Sequence, residues 1–176
     1  MNLRFSVIAA QLLADPIAFR RRITCLLLLW QVEPTKPSPA LLWVTDRGTG
    51  QQRPTARDPM VLEVKKPLKP LNGFAMGVTV GRTHNNDVVI DDSTVSRFHA
   101  YFRQDPETRV WSLVDAESQN GTFRGNQRLP AGKPIPLFEQ AEISLGDVAL
   151  SFFSPKAFEQ HVTERGRQVG FRTPRA

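Results

Sequence analysis

Short apolar runs alternate with polar, turn-forming segments along most of the chain. The runs are rich in β-branched and aromatic residues, as strands are, and Gly, Asn, Asp and Pro separate them. The pattern predicts strands at residues 41–45, 60–64, 78–82, 88–90, 100–103, 111–114, 122–124, 143–145 and 148–153, with a polar loop at 47–58. Because the strands recur without a long helical pattern between them, the sequence predicts an all-β fold, an antiparallel β-sandwich.

The first thirty residues have a different character. Asp15 followed by Pro16 is typical of a helix cap with proline at the first helical position, which predicts a short helix over residues 16–22. The apolar run 23–30 is far shorter than the roughly 20 residues that a membrane-spanning helix needs. It is therefore either a buried strand or an apolar face packed against the sandwich. Residues 1–14 are mildly apolar, but the context that follows them is poor for signal cleavage, so export is not expected.

Composition divides the chain into three predicted parts. Residues 1–40 form an N-terminal helical and apolar extension that ends in a stiff, proline-rich linker. Residues 41–155 form the sandwich domain, and residues 156–176 form a basic C-terminal helix or tail, helical over about 156–164. The linker prolines are Pro34, Pro37 and Pro39.

The positive charge lies outside the predicted sandwich. The formal net charge is +6, yet residues 41–155 hold 13 basic and 13 acidic side chains, and each flank carries an excess of +3. This distribution argues against a basic groove for nucleic acid across the sandwich. It leaves open a basic arm that binds nucleic acid or an acidic partner, although solvated tails are the simpler interpretation.

Cysteine and histidine offer little for metal or redox chemistry. Cys25 is the single cysteine, so the chain has no internal disulfide, and the three histidines, His84, His99 and His161, show no spacing of metal ligands. We expect no cofactor and no metal, and a reducing cytoplasm suits the composition. Cys25 lies within the apolar run, where a buried thiol is more typical than a nucleophile.

Three polar motifs follow predicted strands and suit a phosphate ligand. They are Gly81-Arg82, then Ser96-Arg97-Phe98-His99, then Asn120-Gly121-Thr122. An arginine presents a planar fork of donors to phosphate oxygens, and a serine hydroxyl adds another donor. The motifs therefore predict a phosphate-binding site built on loops.

The order and spacing of these motifs resemble the forkhead-associated (FHA) domain, a β-sandwich that binds phosphothreonine peptides. The resemblance extends over roughly residues 41–154, because 137–146 is similar to the late strand pair of that family. It implies a signalling adaptor without enzymatic activity, whose partner is a phosphothreonine-containing protein in a Ser/Thr-kinase pathway.

The resemblance also implies roles for individual residues. Arg82 and Ser96 would bind the phosphate with help from Arg97, and Asn120 would hold the peptide backbone. Gln119 departs from the family, some members of which place a threonine hydroxyl there against the phosphate. Its amide would replace that contact with the phosphate, or the contact would be lost. The expected supporting residues are Gly81, His99, Gly121 and Thr122.

Three alternatives remain at the level of the sequence. A hydrolase using Ser96 with His99 lacks a recognisable acid or oxyanion feature. A nucleic-acid-binding protein would act through the basic flanks. A phosphate-independent scaffold with the same fold would find its best support in Gln119. The partner, its flanking sequence and the oligomeric state do not follow from the sequence.

Overall fold

The computed structural model describes residues 2–31 and 58–168, where twelve strands form two packed sheets and three helices cover one of them. The strands of the larger sheet, in spatial order, are β1 (Asn2–Arg4), β3 (Met60–Val64), β2 (Leu26–Trp30), β12 (Val148–Phe153), β11 (Glu142–Leu145), β8 (Thr122–Arg124) and β9 (Gln127–Arg128). The strands of the smaller sheet are β10 (Ile135–Pro136), β7 (Trp111–Asp115), β6 (Ala100–Gln104), β4 (Val78–Gly81) and β5 (Val88–Val89). The helices are α1 (Phe5–Ala14), α2 (Pro16–Arg22) and α3 (Pro155–Gln168).

The two sheets form the predicted sandwich. Neighbouring strands pair antiparallel in both sheets, except that β4 and β5 pair parallel through Val80 with Val88 and Gly81 with Val89. The β4–β5 loop carries the chain back beside β4. Strand β5 then runs in the same direction as β4, at the edge of the smaller sheet. The loop between β4 and β5 carries Arg82, so this local departure from the antiparallel pattern lies at the candidate site.

Strand β2 is buried on both faces. Leu26 and Leu28 belong to the core between the sheets, whereas Leu27 and Leu29 belong to a second core on the other side of the sheet. Successive side chains in a strand point to opposite faces, so a strand covered on both sides needs an unbroken apolar run. The apolar run of residues 23–30 is thus a buried strand, the first of the two alternatives that its sequence leaves open.

The second core lies between the larger sheet and the helices. Its largest buried helical residues include Ile8 of α1, Phe19 of α2 and Phe158 of α3. At the surface of this layer, Arg20 donates to both carboxylate oxygens of Glu159, at 3.0 and 2.5 Å. The N-terminal segment therefore packs on its own sandwich as a third layer.

The expected cap of α2 is present. Asp15 Oδ1 accepts hydrogen bonds from the backbone N–H groups of Ile17, at 3.1 Å, and Ala18, at 2.9 Å. Pro16 occupies the first helical position, which needs no amide hydrogen. No helix in the described ranges has both the length and the apolar composition that crossing a bilayer requires.

Several predicted features fall where the structure gives no description. The strand predicted at 41–45, most of the predicted loop 47–58 and the linker prolines lie outside the described residues, as does the predicted boundary at residue 40. The division of the chain into domains at residues 40 and 155 stays a prediction. Within the described part, residues before 40 contribute β2 to the middle of the larger sheet.

Three elements were not predicted: β1, α1 and β10. The short strand β10 has two residues, too few to show an alternating pattern. Between β8 and β9, Gly125 has φ of 56° in a two-residue loop closed by the pairing of Arg124 with Gln127. The sequence Gly125-Asn126 predicts this hairpin, because glycine at the first central position suits the positive φ of a type II′ turn.

We predict that alanine at either face of β2 destabilises the protein by a similar amount. Leu27→Ala removes packing against the helices, and Leu28→Ala removes packing between the sheets; both side chains have 0% exposure. Each should lower the free energy of unfolding by about 2–5 kcal/mol in urea denaturation. Ile17→Ala, at an exposed position of α2, is the control and should change it by less than about 0.5 kcal/mol. A Leu27→Ala protein as stable as the control would contradict the third layer.

Candidate functional site

Four of the predicted ligand-binding residues line one surface groove at the loop end of the sandwich. Arg82 comes from the β4–β5 loop, Ser96 and Arg97 from the β5–β6 loop, and Gln119 from the β7–β8 loop. The other residues lining the groove are Ser93, Thr94, Val95, Phe98 and Glu117. Three separate loops therefore converge on one groove.

A buried histidine holds two of these loops together. The backbone N–H of Ser96 donates to His99 Nδ1 at 2.9 Å, and His99 Nε2 lies 3.2 Å from the carbonyl oxygen of Gly121. Since Nδ1 accepts a hydrogen bond, the proton belongs on Nε2, which then donates to Gly121. His99 is completely buried, and burial lowers the pKa of its ring, which favours this neutral form.

The hydroxyl of Ser96 joins the second and third loops. Ser96 Oγ accepts a hydrogen bond from the backbone N–H of Gln119 at 3.0 Å. The hydroxyl proton has no acceptor among the described residues, so it can be donated to a ligand. The side chain of Gln119 is exposed, while its backbone is fixed by Ser96.

The two arginines have fixed backbones and guanidinium groups that form no ion pair with any described residue. The backbone N–H of Arg82 donates to Ser96 O at 3.0 Å, and its Nη1 makes a long 3.3 Å contact with Ser93 O. The carbonyl oxygen of Arg97 accepts from Asn86 Nδ2 at 2.6 Å and from Thr83 Oγ1 at 2.9 Å. The exposed guanidinium of Arg97 makes no hydrogen bond with another described residue. Both cations are therefore available to an anion.

Gly81 allows the first two loops to approach closely. A Cβ atom at this position would lie 2.3 Å from the carbonyl oxygen of Arg97, which is far inside van der Waals contact. Any side chain here would push the backbone of Arg97 away from the β4 strand. This explains in physical terms why glycine precedes Arg82.

Asn120 braces the second loop through one end of its amide. Its Nδ2 donates to the carbonyl oxygen of Thr94 at 2.7 Å, and Thr94 is held in turn by Asp92 Oδ1. Asn120 is exposed and does not line the groove itself. Its Oδ1 is still able to accept a hydrogen bond, as an amide oxygen does.

The third loop is built on Asp115, a residue that the motifs did not single out. Asp115 Oδ1 accepts from Ser118 Oγ and from Thr122 Oγ1, both at 2.5 Å, and Oδ2 accepts from the backbone N–H of Ser118 at 3.2 Å. Asp115 and Thr122 are buried, so these bonds are shielded from water. Gly121 completes the turn with φ of 89°, in the region that favours glycine.

A second buried carboxylate anchors the first loop. Asp87 accepts hydrogen bonds from Lys66 Nζ and from the backbone N–H of Thr79, both at 2.8 Å, and its side chain has 0% exposure. Burial alone would raise the pKa of Asp87, but hydrogen bonds from Lys66, Thr79 and Asn72 outweigh it and lower the pKa. The carboxylate therefore stays charged and fixes the end of the loop that carries Arg82.

Two further residues of the groove were also missed. Phe98 forms an apolar edge, 39% exposed, and its ring centroid lies 5.5 Å from that of Phe74. Glu117 lines the groove from the third loop with a backbone φ of 58°. Phe98 belongs to the Ser96–His99 motif and could have been singled out there as an exposed aromatic residue. No motif or pattern around Glu117 marks it in the same way.

Part of the chain is similar in sequence to known proteins. Residues 78–146 match the family model described as the FHA domain. The glycogen accumulation regulator GarA of Mycobacterium tuberculosis is 35% identical over 82 residues, which are 46% of this chain and 48% of GarA. The chain thus spans about half the length of the curated relatives that it matches.

Solved structures include similar folds. Mycobacterium tuberculosis EmbR, solved in complex with a low-affinity phosphopeptide, is 28% identical with a TM-score of 0.40, over 46% of this chain and 20% of that one. The N-terminal FHA domain of S. cerevisiae Rad53p, solved in complex with a phosphothreonine peptide, is 16% identical with a TM-score of 0.49, over 78% of this chain and 98% of that one.

We predict that acid destabilises the fold through His99. Its folded pKa is lowered, so below about pH 6.5 the unfolded chain takes up a proton that the folded chain does not. The free energy of unfolding should therefore fall with pH below about 6.5, by at most about 1.4 kcal/mol per pH unit for each such histidine. The contribution of neutral His99 to the free energy of unfolding is fully present above the pKa of the unfolded state. It is lost as the pH falls toward the pKa of the folded state.

His161 contributes in the same direction, because burial and Arg165 lower its pKa. The test is therefore urea unfolding at several pH values in a His161→Phe background, together with NMR titration of the His99 ring. A His99 midpoint at or above 6.5 would contradict the neutral, buried assignment.

Proposed function

We propose that the chain, whose residues 78–146 match the FHA-domain model, is a phosphothreonine-dependent protein-binding module. The loops at one end of the sandwich hold the phosphorylated side chain of an extended peptide. Arg82 and Ser96 bind the phosphate, Arg97 assists, and Asn120 and Gln119 hold the neighbouring peptide.

One observation carries this proposal. Two guanidinium groups that form no ion pair with a described residue, from Arg82 and Arg97, line the same groove as the hydroxyl of Ser96, whose proton has no acceptor among the described residues. A phosphothreonine carries about −1.5 to −2 charges at pH 7 and accepts hydrogen bonds on three oxygens. Charge-assisted bonds from both arginines satisfy that charge, and an unphosphorylated threonine offers nothing comparable.

The third loop supplies contacts to the rest of the peptide. Asn120 has its Nδ2 committed to Thr94, which leaves Oδ1 to accept a backbone N–H of the peptide. Gln119 lines the groove with an exposed side chain, and its amide can donate a hydrogen bond to the bound peptide. These neutral contacts orient the peptide but do not depend on the phosphate.

The arrangement of His99 supports binding rather than catalysis. Its Nδ1 accepts from the backbone of Ser96, not from the hydroxyl, and its Nε2 faces the carbonyl of Gly121. With both ring nitrogens occupied, His99 cannot take the proton from Ser96 Oγ as a general base must. Its role is to position the loops.

The proposed setting is a cytoplasmic Ser/Thr-kinase pathway, with a phosphothreonine-containing pathway protein as the partner. The name of GarA, a glycogen accumulation regulator, is in keeping with a regulatory role. The match extends over only part of each chain, so the partner and pathway are part of the proposal.

We predict that Arg82→Ala and Ser96→Ala remove phosphothreonine binding from a folded protein. A peptide library with a fixed phosphothreonine and degenerate flanks should bind the wild-type protein. Each substitution deletes a donor to the phosphate, and charge-assisted bonds of this kind predict a loss of at least about tenfold in affinity. Fluorescence anisotropy gives the affinities, and thermal unfolding confirms the fold.

Arg103→Ala is the matched control, since it removes the same charge from an exposed position of β6 outside the groove. It should bind as the wild type does. Equal binding of phosphorylated and unphosphorylated libraries would indicate a phosphate-independent scaffold. Binding that survives Arg82→Ala unchanged would contradict the proposed site.

A further inference from the structure

Glu117 is an acidic residue at the edge of a groove otherwise suited to an anion. It lines the groove together with Arg82 and Arg97, and it also lines an adjoining groove with Arg128 and Leu129. The side chain is exposed and forms no ion pair within the described part of the chain. Its charge is thus available to a ligand that passes from one groove to the other.

The backbone of Glu117 is held rigidly. Ala116 N–H donates to His99 O at 2.9 Å, and Ser118 is bonded to Asp115 through both its backbone and its hydroxyl. Between these anchors Glu117 has φ of 58°, a conformation that costs a non-glycine residue free energy. The carboxylate is therefore presented from a fixed point and not from a mobile loop.

The other acid of the adjoining groove is not available. Both carboxylate oxygens of Asp115 accept hydrogen bonds from Ser118 or Thr122, and the residue is 4% exposed. Glu117 therefore provides the negative charge in the passage between the two grooves, and it disfavours a phosphate at that end. A cation of the ligand suits that position.

We propose that Glu117 selects phosphopeptides that carry an arginine or lysine close to the phosphothreonine, an inference that rests on the proposed function. The phosphate lies against Arg82 and Arg97, and the basic side chain reaches Glu117 along the same groove. The alternation of basic and acidic side chains in the groove fixes the register of the peptide.

The test is an oriented library with a fixed phosphothreonine, in which one flanking position at a time is arginine, alanine or glutamate. Wild-type protein should prefer arginine over alanine at one position by about two- to fivefold, the range of exposed ion pairs. Glu117→Gln keeps the shape of the side chain and should abolish that preference. Glu117→Lys should reverse it in favour of glutamate.

Glu107→Gln is the matched control. Glu107 is an exposed acid in the β6–β7 turn, at the opposite end of these strands from Asp115, roughly 15 Å away along the sheet. The substitution Glu107→Gln removes one negative charge without altering the groove, so the preference for arginine should remain.

The outcomes separate this inference from the proposed function. Binding that shows no arginine preference at any position would overturn the role of Glu117 and leave phosphothreonine binding intact. Equal tightening of all phosphopeptides by Glu117→Gln would also overturn it, because Glu117 would then only weaken the phosphate contacts. Failure of every phosphorylated library to bind would contradict the proposed function, and this inference with it.

Discussion

The bridge made by His99 is the interaction on which the candidate site depends. A single buried ring accepts from the backbone of Ser96 and donates to the backbone of Gly121, so it joins the second loop to the third. Only the neutral Nε2–H form satisfies both partners, and the surrounding core excludes the water that would otherwise compensate a broken bond. The loops that carry the ligand-binding side chains are therefore connected through backbone atoms. This leaves the side chains of Arg82 and Arg97 free for a ligand.

The remaining anchors follow the same principle. Asp87 fixes the first loop, Asp115 fixes the third, and the carbonyl oxygen of Arg97 is bound by Asn86 and Thr83. Buried polar groups that are fully hydrogen-bonded rigidify their surroundings. Rigid loops reduce the conformational entropy that the protein itself must lose when a peptide binds, so less of the binding energy of the charged groups is spent on ordering the loops. The sandwich and its helical layer supply the apolar support for these anchors.

The sequence predicted the sandwich and most of its strands because the motifs, and the alternation of apolar runs with polar turns, are local features of the chain. The motifs also predicted one site that contains Arg82, Ser96, Arg97 and Gln119, and the loops that carry these residues follow β4, β5 and β7 of the smaller sheet. The burial of β2 on both faces could not be predicted, because an apolar run is equally compatible with a buried strand and with an apolar face packed against the sandwich. Asp87 was missed because its partners Lys66 and Asn72 are distant in sequence. Asp115 was missed because its burial depends on tertiary packing, although its partners Ser118 and Thr122 are close in sequence. Glu117 was missed because its position depends on a turn held by tertiary contacts. The predicted strand at 41–45 lies outside the described residues.

The most direct measurement of the central claim is an NMR titration with a phosphothreonine peptide and its unphosphorylated form. The side-chain Nε–H signals of Arg82 and Arg97 and the backbone amides of Ser96 and Gln119 report on the groove. The account predicts that all four shift and saturate together with the phosphopeptide, and that the unphosphorylated peptide leaves them unchanged. A bound phosphopeptide that leaves both arginine signals in place, or equal shifts with both peptides, would contradict it.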